Sequence, residues 1–460
     1  MKQHVAAGDP ATAHAGRALL EAGGNAFDAA VAAMFTAMVA EPTLTSAGGG
    51  GHLMAQPVEG SACCFDFFVD MPTGKPVGEM DFDGVWISFG AARQQFHIGR
   101  ASVAVPGNIA GLLHVHQRLG HASRRDVLAP AIQAARDGVE LSAQQGHIIG
   151  MLEPILTREP DSAAIFAPQG ILLKAGEIFR MPCFADFLES LVTQGPNLFY
   201  KEIAGRITVP FNENGLLSES DLSGYTVHER IPRRTDFKGH TLLLNPPPAA
   251  SGELLAHTLA RLDARDDIGP GELVDAFSET EAFRRPEPLS RGATTHVSVL
   301  DRHGNAASVT TTNGEGSGHV ATGCGFLLNN MLGEEDLNPD GFHCHPPGAR
   351  LPTMMAPTIV LCEGRPVLVT GSGGSNRIRS TLIQVLVNHL KNGMSLEAAT
   401  CAPRVHLDGQ TLHAEPGAAT AGSWPVRQWP AQDVYFGGAH SVAPGQAAGD
   451  PRRNGHAMIF

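Results

Sequence analysis

Two threonine clusters frame the stretch TTHVSVLDRHGNAASVTTT: Thr294 and Thr295 open it, and Thr310, Thr311 and Thr312 close it. Between them, two alternating runs are joined by Arg302-His303-Gly304-Asn305, a hairpin signal. A turn centred between His303 and Gly304 sets Thr294 opposite Asn313, with Thr312 one residue away; a slip in register would shift this pairing. A threonine at a sheet edge is ordinarily only a β-former. Here, however, residues 281–293 (EAFRRPEPLSRGA) carry two prolines and three arginines and predict an exposed, flexible connection. A chain break ahead of Thr294 then costs little structure. It also frees the α-amine of Thr294, which titrates near ~8 and can act as general base for its own hydroxyl.

An acyl-transfer nucleophile also needs donors for an oxyanion. VTGSGGSNRIRSTLIQVL offers an apolar strand, then Gly371, Gly373, Gly374 and Ser375, then a helix start. Backbone N–H groups at such a turn project beside a helix N-terminus. A plain strand-to-helix turn is the competing reading of that motif alone.

The elements that must hold these groups are legible in outline. FDAAVAAMFTAMVAEP predicts a helix capped by Asn25 and stopped at Pro42, apolar nearly all round and so buried between layers. Gly48–Gly51 lead into a short strand and read as a tight turn with close backbone packing. CFADFLESLVTQG is a helix with Phe184, Phe187, Leu188 and Leu191 on one stripe, and Ser218-x-x-Asp221 resembles a capping box. After residue 293 strands dominate, in THVSVL, AASVTTT, GFLLNN, PTIVL and PVLVTG, before the helix in STLIQVLVNHLKNG. Strand runs flanked by helices predict a layered α+β domain. No shift in composition calls for a second domain.

Composition narrows the function. Among 460 residues a net charge of −13 leaves no basic surface for nucleic acid or an anionic membrane. Seven scattered cysteines without a CxxC pair fit neither a disulfide framework nor a zinc ribbon, and they favour a reducing compartment. The opening residues lack the apolar core of an export signal, and the apolar run at 29–40 is too short to span a bilayer. The expectation is a cytoplasmic protein. His343-Cys344-His345 lacks a second ligand pair and is not read as a metal site; no cofactor is expected.

TTHVSVLDRHGNAASVTTTN, GFLLNNML, APTIV and VTGSGGSNRI, in this order, resemble the small subunit of γ-glutamyltransferases (glutathione hydrolases). GRALLEAGGNAFDAAVAAMFTAMVAEP, AGGGGHLMAQ, VAVPGNIAGL and GLLSESDLSGY resemble the large subunit, so the similarity runs over nearly the whole chain. The resemblance implies an N-terminal-nucleophile (Ntn) hydrolase with a four-layer αββα fold. It implies self-cleavage into associated segments, 1–293 and 294–460, forming one composite domain that could further assemble as a homo-oligomer. It makes Thr294 the nucleophile that accepts an acyl group from a small amide or peptide, Thr312 the partner of its hydroxyl, and Gly374 with Ser375 the oxyanion pair, although the family has glycine at both.

The resemblance fails where the family grips the glutamyl α-carboxylate and α-amine. The arginine expected near DFFVDMP is replaced by Val69 or a neighbour, and valine cannot form a bidentate clamp. The family glutamine is Met331, its aspartate is Glu334, its paired serines are Thr353 and Met354, and its asparagine is matched loosely by Asn313. GEEDLNPDG otherwise reads as a solvated acidic loop. Retained acyl transfer with a more apolar acyl pocket is the simplest inference, as in the cephalosporin acylases that share the fold. Alternatively, Arg93 or Arg100 reaches the carboxylate from another loop. A family member that binds without turnover ranks last.

Overall fold

The computed structural model describes residues 2–89, 92–283, 293–422 and 424–460. Two antiparallel sheets lie face to face. The first runs 456–459, 4–7, 295–300, 306–312, 50–56, 63–67, 228–230; the second runs 446–448, 441–443, 365–370, 358–362, 240–244, 233–237. Between them sits a thin apolar layer that includes Ala6, Met54, Leu243, Ile359, Val369 and Val442. On the outer face of the first sheet pack the helices Pro10–Glu21, Ala26–Ala40 and Arg124–Asp137; Ala250–Asp263 and Arg377–Leu386 cover the second. This is the expected αββα order.

Ala26–Ala40 is buried at every position, as its all-round apolar sequence requires. Its start is a capping box: the Asn25 side chain accepts from the Asp28 backbone, and Asp28 reciprocates. The helix stops at Ala40, two residues before Pro42. The Ser218/Asp221 capping box is present too. The glycine run at 48–51 packs backbone against backbone; a Cβ on Gly49 would overlap the carbonyl of Thr312.

The central hairpin pairs Thr295 with Thr311 and Leu300 with Ala306. That register places Thr294 opposite Thr312 rather than Asn313, one residue off the sequence expectation. Asp301 is the cause: its Oδ1 accepts from the N–H groups of His303, Gly304 and Asn305, closing a loop of odd length. The strand read in GFLLNN forms only isolated bridges. Side chains take its backbone partners instead: Ser46 donates to the Leu327 carbonyl, and Asn329 donates to Gly48 and Ala104.

The connection predicted over 281–293 differs at both ends. Residues 281–283 finish the helix Pro270–Phe283, and Ala293 is buried. Residues 284–292 lie outside the described residues.

Candidate active site

The hairpin alternates sharply. Val297, Val299 and Val309 face the helix layer, whereas His296, Ser298, Ser308 and Thr310 face the second sheet. His296 is held by Thr310 Oγ1 at 2.8 Å and Ser298 Oγ at 2.9 Å, and burial drives its pKa well below the usual histidine range. It is a neutral strut in the inter-sheet layer. Thr294 lies at the open end of this strand, 4% exposed.

Three contacts hold the backbone of Ala293 and Thr294, and two more steady their neighbours. The Thr312 hydroxyl donates to the Ala293 carbonyl and accepts from the Gly314 N–H at 3.0 Å. The Ala293 N–H donates to the Glu315 carboxyl. Arg453 Nη1 donates to the Thr294 carbonyl at 3.0 Å. The hydroxyl of Thr295, on the opposite face, donates to Glu41 Oε2 at 2.5 Å.

Thr294, Thr312, Met331, Glu334, Thr353, Met354 and Ser375 line one small pocket, closed by Phe68, Asp336, Leu337, Met355 and Ile378. Seven of the ten positions singled out from sequence thus converge there. Gly374 adjoins Ser375 in the turn behind it, with φ of 122° and 49° respectively. Ser375 therefore occupies a left-handed conformation that favours glycine. Its Oγ donates to Asp336 Oδ2 at 2.5 Å.

Val69 and Asn313 do not line this pocket. Val69 is fully buried, its carbonyl accepting from Leu351, and Phe68 takes the place at the wall. Phe68 and Val69 follow the strand Cys63–Phe67, and neighbouring side chains of such an extended run point to opposite faces. Asn313 is buried beside the hairpin end. Neither proposed substitute arginine is at hand: Arg100 pairs with Asp81 at 3.3 Å, and Arg93 stacks over Trp86 at 5.4 Å. Arg350, the nearest guanidinium in sequence to Thr353, is taken up by Asp66 and Asp70.

The acidic loop is solvated only in part: Asp340 is exposed and Glu335 half-buried. Glu315, Glu334 and Asp336 are buried, and Glu315 Oε2 and Glu334 Oε1 lack hydrogen-bond partners among the described residues. Burial, reinforced by Asp336, pushes the Glu334 carboxyl up to about 8; burial and then Glu334 push Glu315 well above the carboxylate range. Opposite them stand Arg377 and Arg453. Burial, then repulsion from Arg377, lowers Arg453 to about 10, so it stays charged at neutral pH.

Asp336, Glu315, Arg377 and Arg453 carried no assigned role in the sequence reading. Arg453 comes from the far end of the chain, delivered by the pairing of His456–Ile459 with His4–Ala7. His343 and His345 donate to or accept at no shared centre; each ring contacts a backbone carbonyl, of Ala101 and Leu337.

The family model described as gamma-glutamyltranspeptidase matches residues 12–285 and 274–459. The chain belongs to the gamma-glutamyltranspeptidase family. Among curated relatives of this family member, the glutathione hydrolase proenzyme of Escherichia coli (strain K12) is 29% identical, covering 87% of this chain and 80% of that protein. The acylase ACY 1 proenzyme of Pseudomonas sp. (strain V22) is 30% identical, covering 89% of this chain and 83% of that protein. The crystal structure of a cephalosporin acylase from Bacillus halodurans superposes with a TM-score of 0.81 over 99% of this chain and 95% of that one; at 22% identity it speaks to the fold. The Helicobacter pylori gamma-glutamyltranspeptidase gives 0.52 at 26% identity, over 59% of this chain and 80% of that one. This gamma-glutamyltranspeptidase family member is therefore an enzyme, with the Ntn-hydrolase fold and chemistry of the γ-glutamyl or acyl-transfer type.

Proposed function

We propose that the protein cuts itself between Ala293 and Thr294 and then hydrolyses or transfers the acyl part of small amides through an ester on Thr294. The observation that carries this reading is the Thr312 hydroxyl on the Ala293 carbonyl: it polarises the one peptide carbonyl that lies next to Thr294. In the first step the Thr294 hydroxyl oxygen adds to that carbonyl carbon. As the C–N bond breaks, the Thr294 nitrogen takes up the proton that the hydroxyl gave up, and water then hydrolyses the ester. The products are a carboxylate on Ala293 and an α-amine on Thr294.

In turnover that amine takes the Thr294 proton and passes it to the departing amine of the substrate. The N–H groups of the Gly374–Ser375 turn face the tetrahedral oxyanion. Water, or a second amine, removes the acyl group.

For the acyl group, the walls favour an apolar chain without an α-carboxylate. Phe68, Met331, Leu337, Met354 and Met355 line the pocket, and no arginine does among the described residues. Placing a carboxylate beside Glu334 and Asp336 without a cation is unfavourable. The γ-glutamyl reading, supported by the family, is the second reading; Glu334 and Asp336 suit its ammonium end. Hydrolysis of a γ-glutamyl anilide against matched glutaryl and butyryl anilides separates the two. A higher kcat/KM for butyryl supports the apolar pocket, and a clear preference for γ-glutamyl overturns it.

A further inference from the structure

A second and larger cavity, of about 440 Å³, opens on the other side of the same peptide bond. Ala293 forms part of its wall, while Thr294 forms part of the acyl pocket. The two cavities therefore flank the reacting position. The oxyanion turn joins them as well: Ser375 faces the first and Arg377 the second. With the acyl chain of an amide in the small pocket, the large cavity is the space left beside Thr294 for its amine portion.

The walls of this cavity specify that portion. Ile148 and Met151, from the helix Ala143–Met151, make an apolar side. Trp429 and Tyr435 stack with ring centroids 4.7 Å apart and make a flat aromatic one. Three guanidiniums, those of Arg377, Arg427 and Arg453, reach the cavity. Arg377 lies over the Tyr435 ring at 5.2 Å and donates from Nε to the Tyr435 carbonyl. Arg453, only 7% exposed, has an Nε without a hydrogen-bond partner among the described residues. Arg427 stands exposed at the rim, on the edge strand Val426–Gln428.

The three guanidiniums outnumber the two carboxyls that line the cavity, those of Glu315 and Asp433. Burial and then Glu334 push Glu315 well above the carboxylate range, and Asp433 Oδ1 accepts from the Tyr435 N–H at 2.8 Å. His147 completes the titratable set. Clustered guanidiniums beside stacked rings match a planar or apolar group that bears a carboxylate.

We propose that this cavity is the subsite for the amine portion of the substrate, and that this portion is an aromatic or bulky apolar amine carrying a carboxylate. The proposal rests on the amide-cleaving reading above. It also explains how the enzyme recognises a substrate with no arginine in the acyl pocket: the anionic handle is on the leaving side.

Binding of the free amine tests it without turnover. On the self-cleaved wild-type protein, calorimetry is expected to show 3-aminobenzoate binding at least about tenfold tighter than aniline. Arg427→Gln is expected to remove most of that difference and leave aniline unchanged, because it takes away charge at the rim and nothing else. Trp429→Ala is expected to weaken both amines. Equal affinity for the two amines in the wild type, absence of 3-aminobenzoate binding, or an Arg427→Gln variant with undiminished selectivity overturns the proposal. Turnover of butyryl anilide and its 3-carboxy analogue keeps the two readings apart. If neither these nor the γ-glutamyl anilide is cleaved while 3-aminobenzoate still binds selectively, amide cleavage falls and the anion-binding cavity stands. If both are cleaved with the same kcat/KM and the free amines bind alike, the subsite falls and amide cleavage stands.

Discussion

The Thr312 hydroxyl donates to the carbonyl oxygen of Ala293, the residue immediately ahead of Thr294, and itself accepts from the Gly314 N–H. Under the self-cleavage proposed above, one side chain serves two states of the chain: it polarises the carbonyl under attack, and once Ala293 is released the same hydroxyl is left to bond the Thr294 hydroxyl or amine.

Removing that hydroxyl is expected to slow both events. Thr312→Ala should reduce self-cleavage and amide turnover by roughly 100-fold or more, the range seen when one oxyanion donor is deleted. Thr312→Ser keeps the donor and is expected to stay within about tenfold of wild type. Gel time courses for cleavage and anilide kinetics for turnover check this. An alanine variant that matures at the normal rate contradicts the proposed role.

Arg453 holds the next carbonyl along, that of Thr294. Arg453→Met keeps much of the volume but leaves this buried oxygen unpaired, which costs about 1–3 kcal/mol. The expected result is slower maturation with a lowered melting temperature. Arg453→Lys restores charge without the planar fork and is expected to recover only part of the rate. Mass spectrometry of the 294–460 segment over time measures it.

Much of this site was legible because its chemistry is local. The Thr294 and Thr312 pair follows from alternation about one turn, and Gly374–Ser375 from a strand-to-helix junction. The missed groups are those supplied by tertiary packing. Nothing near Arg453 in sequence marks it, since its place depends on the last strand pairing with the first. Glu334 and Asp336 looked like surface because acidic residues clustered with Asn, Pro and Gly usually are; burial against Ser375 and Met331 reverses that. The register error was a single residue, set by three hydrogen bonds to Asp301 that a count from the turn centre does not see. Val69 was one residue from the pocket wall for the same kind of reason, a choice between two faces of the run that follows the strand Cys63–Phe67.

Ser375 sits at φ 49°, a conformation that favours glycine, with its hydroxyl on Asp336. Ser375→Gly relieves about 1 kcal/mol of backbone strain and loses one buried hydrogen bond worth a similar amount. Stability is expected to change little, and turnover to stay within a few-fold, because the backbone N–H proposed for the oxyanion is kept. Ser375→Val puts a β-branched residue at positive φ and is expected to destabilise the protein clearly. Thermal melts together with butyryl anilide kinetics distinguish strain from catalysis.

Glu41, which does not line the acyl pocket, supplies a pH dependence of its own. It is fully buried, accepts from Thr295 and Thr12, and is pushed up to about 8 by burial first and by Asp9 second. Its folded-state pKa lies above the unfolded value, so the folded protein binds the extra proton between the two. The resulting stability is fully present below about 4.5, falls as pH rises, and is lost through about 8. Glu41→Gln cannot ionise; its amide oxygen accepts from one of the two threonines and its NH2 donates to the hydroxyl of the other. The wild-type melting temperature is therefore expected to fall more steeply than that of Glu41→Gln between pH 5 and pH 8. Parallel curves over that window would mean that Glu41 does not carry a shifted proton in the folded state.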